Sequence, residues 1–291
     1  MAHSLSIKQT IKALATLCKW RVVVLMLVTA AVGMLLAPKN LLNLSNTIGG
    51  ILGIGLCACS GGIMNQVFET NIDLKMSRTK HRPLVKNRLS IPQALCTAAL
   101  FITLGVLVLL VTTNQLTIFL TLGTMIGYGY VYTKILKPLT SQNIVIGGLF
   151  GAMPPLLGWC AVTNEVSPFP LLLVAIIYTW TPSHFWSLSL AQIDDYKKSS
   201  LPMLPVTHGV ACTQVQILLY TILLIVITQL PYVFTYTTSR YCIITNIANV
   251  WLLSAMYSVY KDPSHKHCLS AFKRSNLYLI AVFAAMIIDR I

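Results

Sequence analysis

The chain is poor in charge. Only 10% of its 291 residues are Asp, Glu, Lys or Arg, and only seven of those are carboxylates, whereas roughly a quarter of the residues in soluble domains are charged. So few charges cannot cover a soluble surface when 56% of the residues are hydrophobic and the mean hydropathy is +0.74. CxxC pairs are missing as well. The eight cysteines, at 18, 57, 59, 96, 160, 212, 242 and 268, lie mostly within apolar runs, where a thiol acts as a small hydrophobe, and imply neither a disulfide framework nor a metal site. Low-complexity segments and obvious exact repeats are lacking too. The net charge of +14 invites a nucleic-acid reading, but the cations are scattered in short intervals between apolar runs instead of gathering on a soluble face. No nucleic-acid partner is expected.

What the chain has is long apolar runs. Nine of them, at roughly 20–37, 48–68, 91–111, 116–133, 143–163, 170–190, 215–234, 241–260 and 272–288, have the length needed to cross a bilayer. Lipid tolerates no open sheet edge, so these runs predict helices: an all-α polytopic membrane protein of nine spans, forming a single domain over 1–291. The first run is long for the core of a cleavable signal and no convincing small-residue cleavage site follows it, so it reads as an anchor. With the N-terminus inside, 18 of the 21 Lys and Arg fall in inside segments, leaving Lys39, Arg240 and Arg290 outside. Nothing resembling a mitochondrial transit peptide precedes the first run. The expectation is therefore a bacterial inner-membrane protein with cytoplasmic N-terminus and periplasmic C-terminus.

Against that background the few carboxylates are informative. Glu69 and Asp73 occupy one inside loop and Asp194 and Asp195 another; Asp262 is also inside, and Glu165 and Asp289 are outside. Asn65, Glu69 and Asp73 repeat at i, i+4 and i+8, which on a helix forms a row along one face. An amide oxygen and two carboxylates in a row suit a hard cation such as magnesium, which binds through one or two carboxylates plus substrate phosphates. Lys75, Arg78, Lys80 and Arg82 follow closely and suit phosphate oxygens. A basic inside loop with incidental acids would look much the same. In TWTPSHFWSLSLAQIDDYKKSSLPMLPVTHG (179–209), His184 sits deep in an aromatic run and shares a helix face with Asp195. An ionisable group in a span usually faces the bundle interior, where His184 either meets a ligand or packs helices.

These strings resemble a known family. NQVFETNIDLKMSRTKHRPL (65–84) is similar to the first aspartate-rich motif of UbiA-type intramembrane prenyltransferases, N-x-x-x-D/E-x-x-x-D. The continuation RTKHRPL (78–84), the blocks HFWSL (184–188) and DDYKKSSLPMLPV (194–206), and the closing AFKRSNLYLI (271–280) and IIDR (287–290) resemble the protoheme IX farnesyltransferase, or heme O synthase, branch. The resemblance implies a nine-span bundle around a lipid-open cavity. It implies transfer of the farnesyl group of farnesyl diphosphate to the 2-vinyl group of heme B, with release of diphosphate and addition of water, giving heme O. Asn65, Glu69, Asp73, Asp194 and Asp195 would be catalytic, holding Mg2+ on the diphosphate, and Lys75, Arg78, Lys80 and Arg82 would meet its oxygens. Heme B would be a substrate and not a cofactor, with a heme A synthase or terminal oxidase as partners. His184, Trp186 and Tyr196 are the candidates for the acceptor side, with Tyr178, Trp180 and Phe185 also placed to line the cavity.

Departures matter as well. Glu69 stands where Asp is common, Asn71 replaces a frequent acid and His81 an Asn. The superfamily spaces its second carboxylates four apart, whereas Ala191 and Ser199 flank Asp195 here, so which of Asp194 and Asp195 faces the metal stays open. Two other readings remain: a prenyltransferase for a quinone-precursor ring or chlorin, and a small-solute transporter with broken spans such as GGLFGAMPPLLG (147–158). The transporter gives no reason for carboxylates confined to the loops of one side.

Overall fold

The structure is a computed structural model that describes residues 6–290, and every regular element among them is helical. An amphipathic helix α1 (Ile7–Leu17) meets α2 (Trp20–Leu36) at a 57° bend, with Lys19 at the elbow in the left-handed region (φ 53°). Helix α3 (Leu44–Asp73) begins in a capping box between Asn43 and Asn46 and runs thirty residues. Then come α4 (Ile91–Thr112) and α5 (Gln115–Ile126), the latter continuing as a π-helical stretch, Gly127–Leu136, into α6 (Lys137–Leu139). Helices α7 (Asn143–Ala152) and α8 (Pro154–Thr163) are one span interrupted at Met153, where Pro154 and Pro155 remove two amide donors. The remainder is α9 (Pro168–Ala191), α10 (Ile193–Ser199), α11 (Leu204–Thr207), α12 (Gly209–Val233), α13 (Ser239–Lys261) and α14 (His265–Arg290).

Seven of these are long and apolar enough to cross a membrane, or eight if the bent α1–α2 pair is one span. The expected count of nine is not established. The run at 20–37 folds into a helix of only 17 residues, and the run at 116–133 is divided between α5 and the π-helical stretch. The multi-pass character is clear from the surface. Leu100, Leu104, Leu107, Leu110 and Val111 of α4 all point outward, an apolar face suited to lipid. Helix α9 is the central one, mostly buried between Phe169 and Leu190 and packed against α7, α12 and α14. Between α2 and α8 the backbones touch: a Cβ on Gly33 would lie 2.0 Å from the Pro155 carbonyl oxygen, and one on Gly158 would lie 1.9 Å from that of Ala30. Small residues on both sides permit this approach, as in other membrane helix pairs.

Candidate active site

The row deduced from the spacing exists. Asn65, Glu69 and Asp73 line one face of the last turns of α3 and are 1%, 3% and 2% exposed. Burying two carboxylates is costly unless cations answer them, and three do. Arg82 Nη1 lies 2.6 Å from Asp73 and 3.6 Å from Glu69. Lys137 pairs with Glu69, and Lys19 donates to the Asn65 side-chain oxygen and, at 3.0 Å, to the Tyr128 hydroxyl. The Asn65 amide donates to Thr133 at 2.8 Å.

Arg82 arrives because the chain doubles back. After α3 the loop is pinned by buried Met76 and Leu84, and Thr79 donates to the Asp73 carbonyl oxygen at 3.0 Å, which returns Arg82 to the carboxylates nine residues upstream. The other expected phosphate ligands, Lys75, Arg78 and Lys80, stay exposed on the outer side of the same loop, without an ion pair among the described residues.

Lys137 arrives because of the π-helix. Nine residues separate it from Tyr128. At 3.6 residues per turn that is two and a half turns, placing the two on opposite faces, whereas a π-helix, at roughly 4.4 residues per turn, brings them back to one face after about two turns. Tyr128, Tyr132 and Lys137 therefore look together toward α3, with the two tyrosine rings stacked at 5.9 Å and 16°. Tyr132 also lies flat on α7, where a Cβ on Gly147 would come within 2.1 Å of its ring. Gly147→Ala is thus expected to push Tyr132 off its seat and misplace Lys137, weakening prenyl diphosphate binding at least about tenfold, the worth of one charged hydrogen bond. Kinetics on Gly147→Ala, Tyr132→Ala and the double variant check this: the double must be no worse than Tyr132→Ala alone.

The second acidic loop meets the first through Ser77, whose hydroxyl donates to Asp195 at 2.8 Å. Of the adjacent pair, Asp195 therefore faces the first loop, while Asp194 is exposed. Gln192, at the turn between α9 and α10, keeps a buried side-chain oxygen with no donor, one more acceptor on this side. Tyr196 is buried.

His184 is held among aromatic rings. It stacks on Trp180 (4.1 Å) and on Phe272 of α14 (4.3 Å), meets Phe185 edge-on, and shares a hydrogen between Nδ1 and the Ser275 hydroxyl at 2.6 Å. The Trp180 indole donates to the Ser275 carbonyl oxygen at 2.8 Å, so this cluster fastens α9 to α14. Trp186 is fully buried, edge-on to Tyr220, and Phe185 points outward. Removing a ring stacked on both faces leaves a cavity, and His184→Ala should cost about 2–5 kcal/mol. A lower melting temperature with equal losses for both substrates is the expected result; loss confined to the acceptor would assign the ring a binding role instead.

Two buried carboxylates in a row inside a helical membrane bundle, answered by nearby cations and faced by a second acidic loop, form the chain's concentration of buried charge. The chain belongs to the UbiA prenyltransferase family, whose description matches residues 26–280. It is a prenyltransferase. Among its relatives, a protein named protoheme IX farnesyltransferase from Saccharophagus degradans is 44% identical over 273 residues, covering 94% of this chain and 90% of that protein. One of the same name from Legionella pneumophila is 45% identical, covering 94% and 93%. Solved structures share the fold. A digeranylgeranylglyceryl phosphate synthase superposes with a TM-score of 0.80 at 17% identity, covering 96% of this chain and 98% of that one. A UbiA homolog from Archaeoglobus fulgidus bound to GPP and Mg2+ gives 0.68 at 16%, covering 94% and 99%.

Lys19, Lys137, Tyr128, Tyr132, Thr133 and Ser77 adjoin the carboxylates without having been singled out by the motifs. The inside location of both lysines was the only available signal.

Proposed function

We propose that the protein transfers the farnesyl group of farnesyl diphosphate to the 2-vinyl group of heme B, making heme O and diphosphate, at the cytoplasmic side of a bacterial inner membrane. The observation that carries this reading is the buried Asn65, Glu69 and Asp73 row matched by Arg82, Lys137 and Lys19, in a chain whose relatives bear that enzymatic name.

The donor set fits magnesium: two buried carboxylates and an amide oxygen on one helix face, with Asp195 hydrogen-bonded to the facing loop. Asn65, Glu69, Asp73 and Asp195 would hold it, with Asp194 beside them at the rim. Bound there, it would neutralise negative charge on the diphosphate. Arg82, Lys137 and Lys19 take up the rest of the charge that develops as the allylic C–O bond breaks and the leaving oxygen keeps the electron pair. The Tyr128 and Tyr132 rings, stacked on each other, hold the Lys19 and Lys137 ammonium groups 5.5 Å and 6.0 Å from their centres beside the carboxylate row. The surrounding apolar bundle dissolves the C15 chain and porphyrin and keeps water away until the vinyl carbon has attacked. Water then adds to the cationic carbon left on the porphyrin side and loses a proton, completing the hydroxyethylfarnesyl group. Lys75, Arg78 and Lys80 at the loop surface are placed to attract the diphosphate before it enters.

Purified protein given farnesyl diphosphate distinguishes the acceptors. Diphosphate release that requires both heme B and Mg2+ is expected; release driven by an aromatic acid in place of heme would mark a quinone-type enzyme, and no release under any acceptor would favour a transporter.

A further inference from the structure

We propose that Gln66 is a positioning residue for the diphosphate: it fastens the end of α1 to α3 and so fixes where the Lys19 ammonium stands. This role presupposes that the site binds a prenyl diphosphate.

Gln66 follows Asn65 directly, so the two side chains leave α3 about 100° apart, one toward the carboxylate row and the other toward α1. Gln66 is 1% exposed, and its amide nitrogen donates to the carbonyl oxygens of Thr16 and Leu17, both at 2.8 Å. Both partners are acceptors only, so the end of the amide that meets them must be the nitrogen. The last carbonyls of a helix lack the partners that its interior has, and here a neighbouring helix supplies them. One turn earlier on α3 the two backbones nearly touch: a Cβ on Gly62 would stand 3.0 Å from the Cys18 carbonyl oxygen. Thr16, Leu17 and Cys18 are thus all seated on α3.

Lys19 comes next. Its backbone is left-handed (φ 53°, ψ 43°), a conformation that a lysine keeps only where its surroundings hold it there. Helix α1 has little else to hold it: it packs chiefly against α2 and α3, burying Ala13 and Leu17 and leaving Ile11 and Lys12 exposed. From this elbow the Lys19 side chain crosses to the row, where the ammonium donates to Asn65 and, at 3.0 Å, to the Tyr128 hydroxyl. A lysine stem absorbs a small shift of its own backbone. A return to right-handed geometry is different, because it swings the Cα–Cβ bond to another side of the elbow, and the ammonium then leaves both partners.

Binding of farnesyl thiolodiphosphate, a non-transferring analogue, to the full-length protein in detergent with Mg2+ tests this without reference to the acceptor. Gln66→Met removes both donors at similar length, and Gly62→Ala lifts the same elbow without touching those hydrogen bonds. Each should weaken analogue binding roughly three- to tenfold, up to the worth of one charged hydrogen bond, and leave the saturation of turnover by heme B unchanged. In a Lys19→Met background neither should add more than about twofold, the scatter of non-interacting changes. Equal losses for both substrates, or the full further loss on top of Lys19→Met, would reduce Gln66 to a cap on α1 and overturn the proposal. Wild-type affinity in both variants, or in Lys19→Met, would overturn it as well. A wild-type protein that binds no analogue would overturn the prenyl-transfer reading itself, and this role with it.

Discussion

Glu69→Gln and Asp73→Asn each lower heme O formation at least about a hundredfold, the scale seen when one preorganised charge is removed from a reaction centre, while the protein still inserts in the membrane. Both changes keep side-chain size and remove one negative charge from a site in which two carboxylates face Arg82, Lys137 and Lys19. Without that charge, Mg2+ at this row would be held less tightly and would face the cations without compensation. A chelator should reproduce the loss in the wild-type protein. Asp262→Asn is the control. Asp262 is exposed in the α13–α14 turn, 3.0 Å from His267, and its loss should leave turnover unchanged. Near-normal heme O from either site variant, or activity persisting in chelator, would sink the assignment of these carboxylates.

Lys137→Gln has the second largest expected effect, and the two consequences can be separated. A hydrogen bond to a charged group is worth about 1.5–3 kcal/mol, so the apparent affinity for farnesyl diphosphate should fall roughly ten- to a hundredfold. Glu69 also loses a buried partner. Breaking such a pair costs about 3–5 kcal/mol when the charge is left alone, but Arg82 remains 3.6 Å away, so the loss of stability should lie below that range. Arg78→Ala, by contrast, removes an exposed side chain and should cost little beyond a slower, salt-dependent capture of substrate. Salt-titrated kinetics and melting temperatures on the two variants check the ordering. If Arg78→Ala proved the more damaging for affinity, the α3–α4 loop would have to fold differently around the diphosphate than it does around Asp73.

Residues four apart on an ordinary helix were legible. The buried row of Asn65, Glu69 and Asp73 follows from 3.6-residue periodicity, and the lipid-facing α4 follows from its unbroken apolar run. The scarcity of charge fixed the solvent, and with it the helical class, because backbone groups in hydrocarbon have nowhere else to bond. Tertiary structure decided what periodicity could not carry. The π-helical stretch rotates Lys137 onto the face of Tyr128, against what 3.6 residues per turn predicts. The doubled-back loop selects Arg82 from four neighbouring cations, because Met76, Thr79 and Leu84 are buried around it. Ser77 turns Asp195 inward and leaves Asp194 exposed, a choice between adjacent residues on which the sequence is silent. His184 shows the same division. Its burial was written in the apolar run around it, but its place between Trp180 and Phe272 depends on α14, ninety residues downstream. Local pattern determines which face of a helix is polar; which polar groups then meet depends on contacts distant in the chain, and those exist only once the bundle has closed.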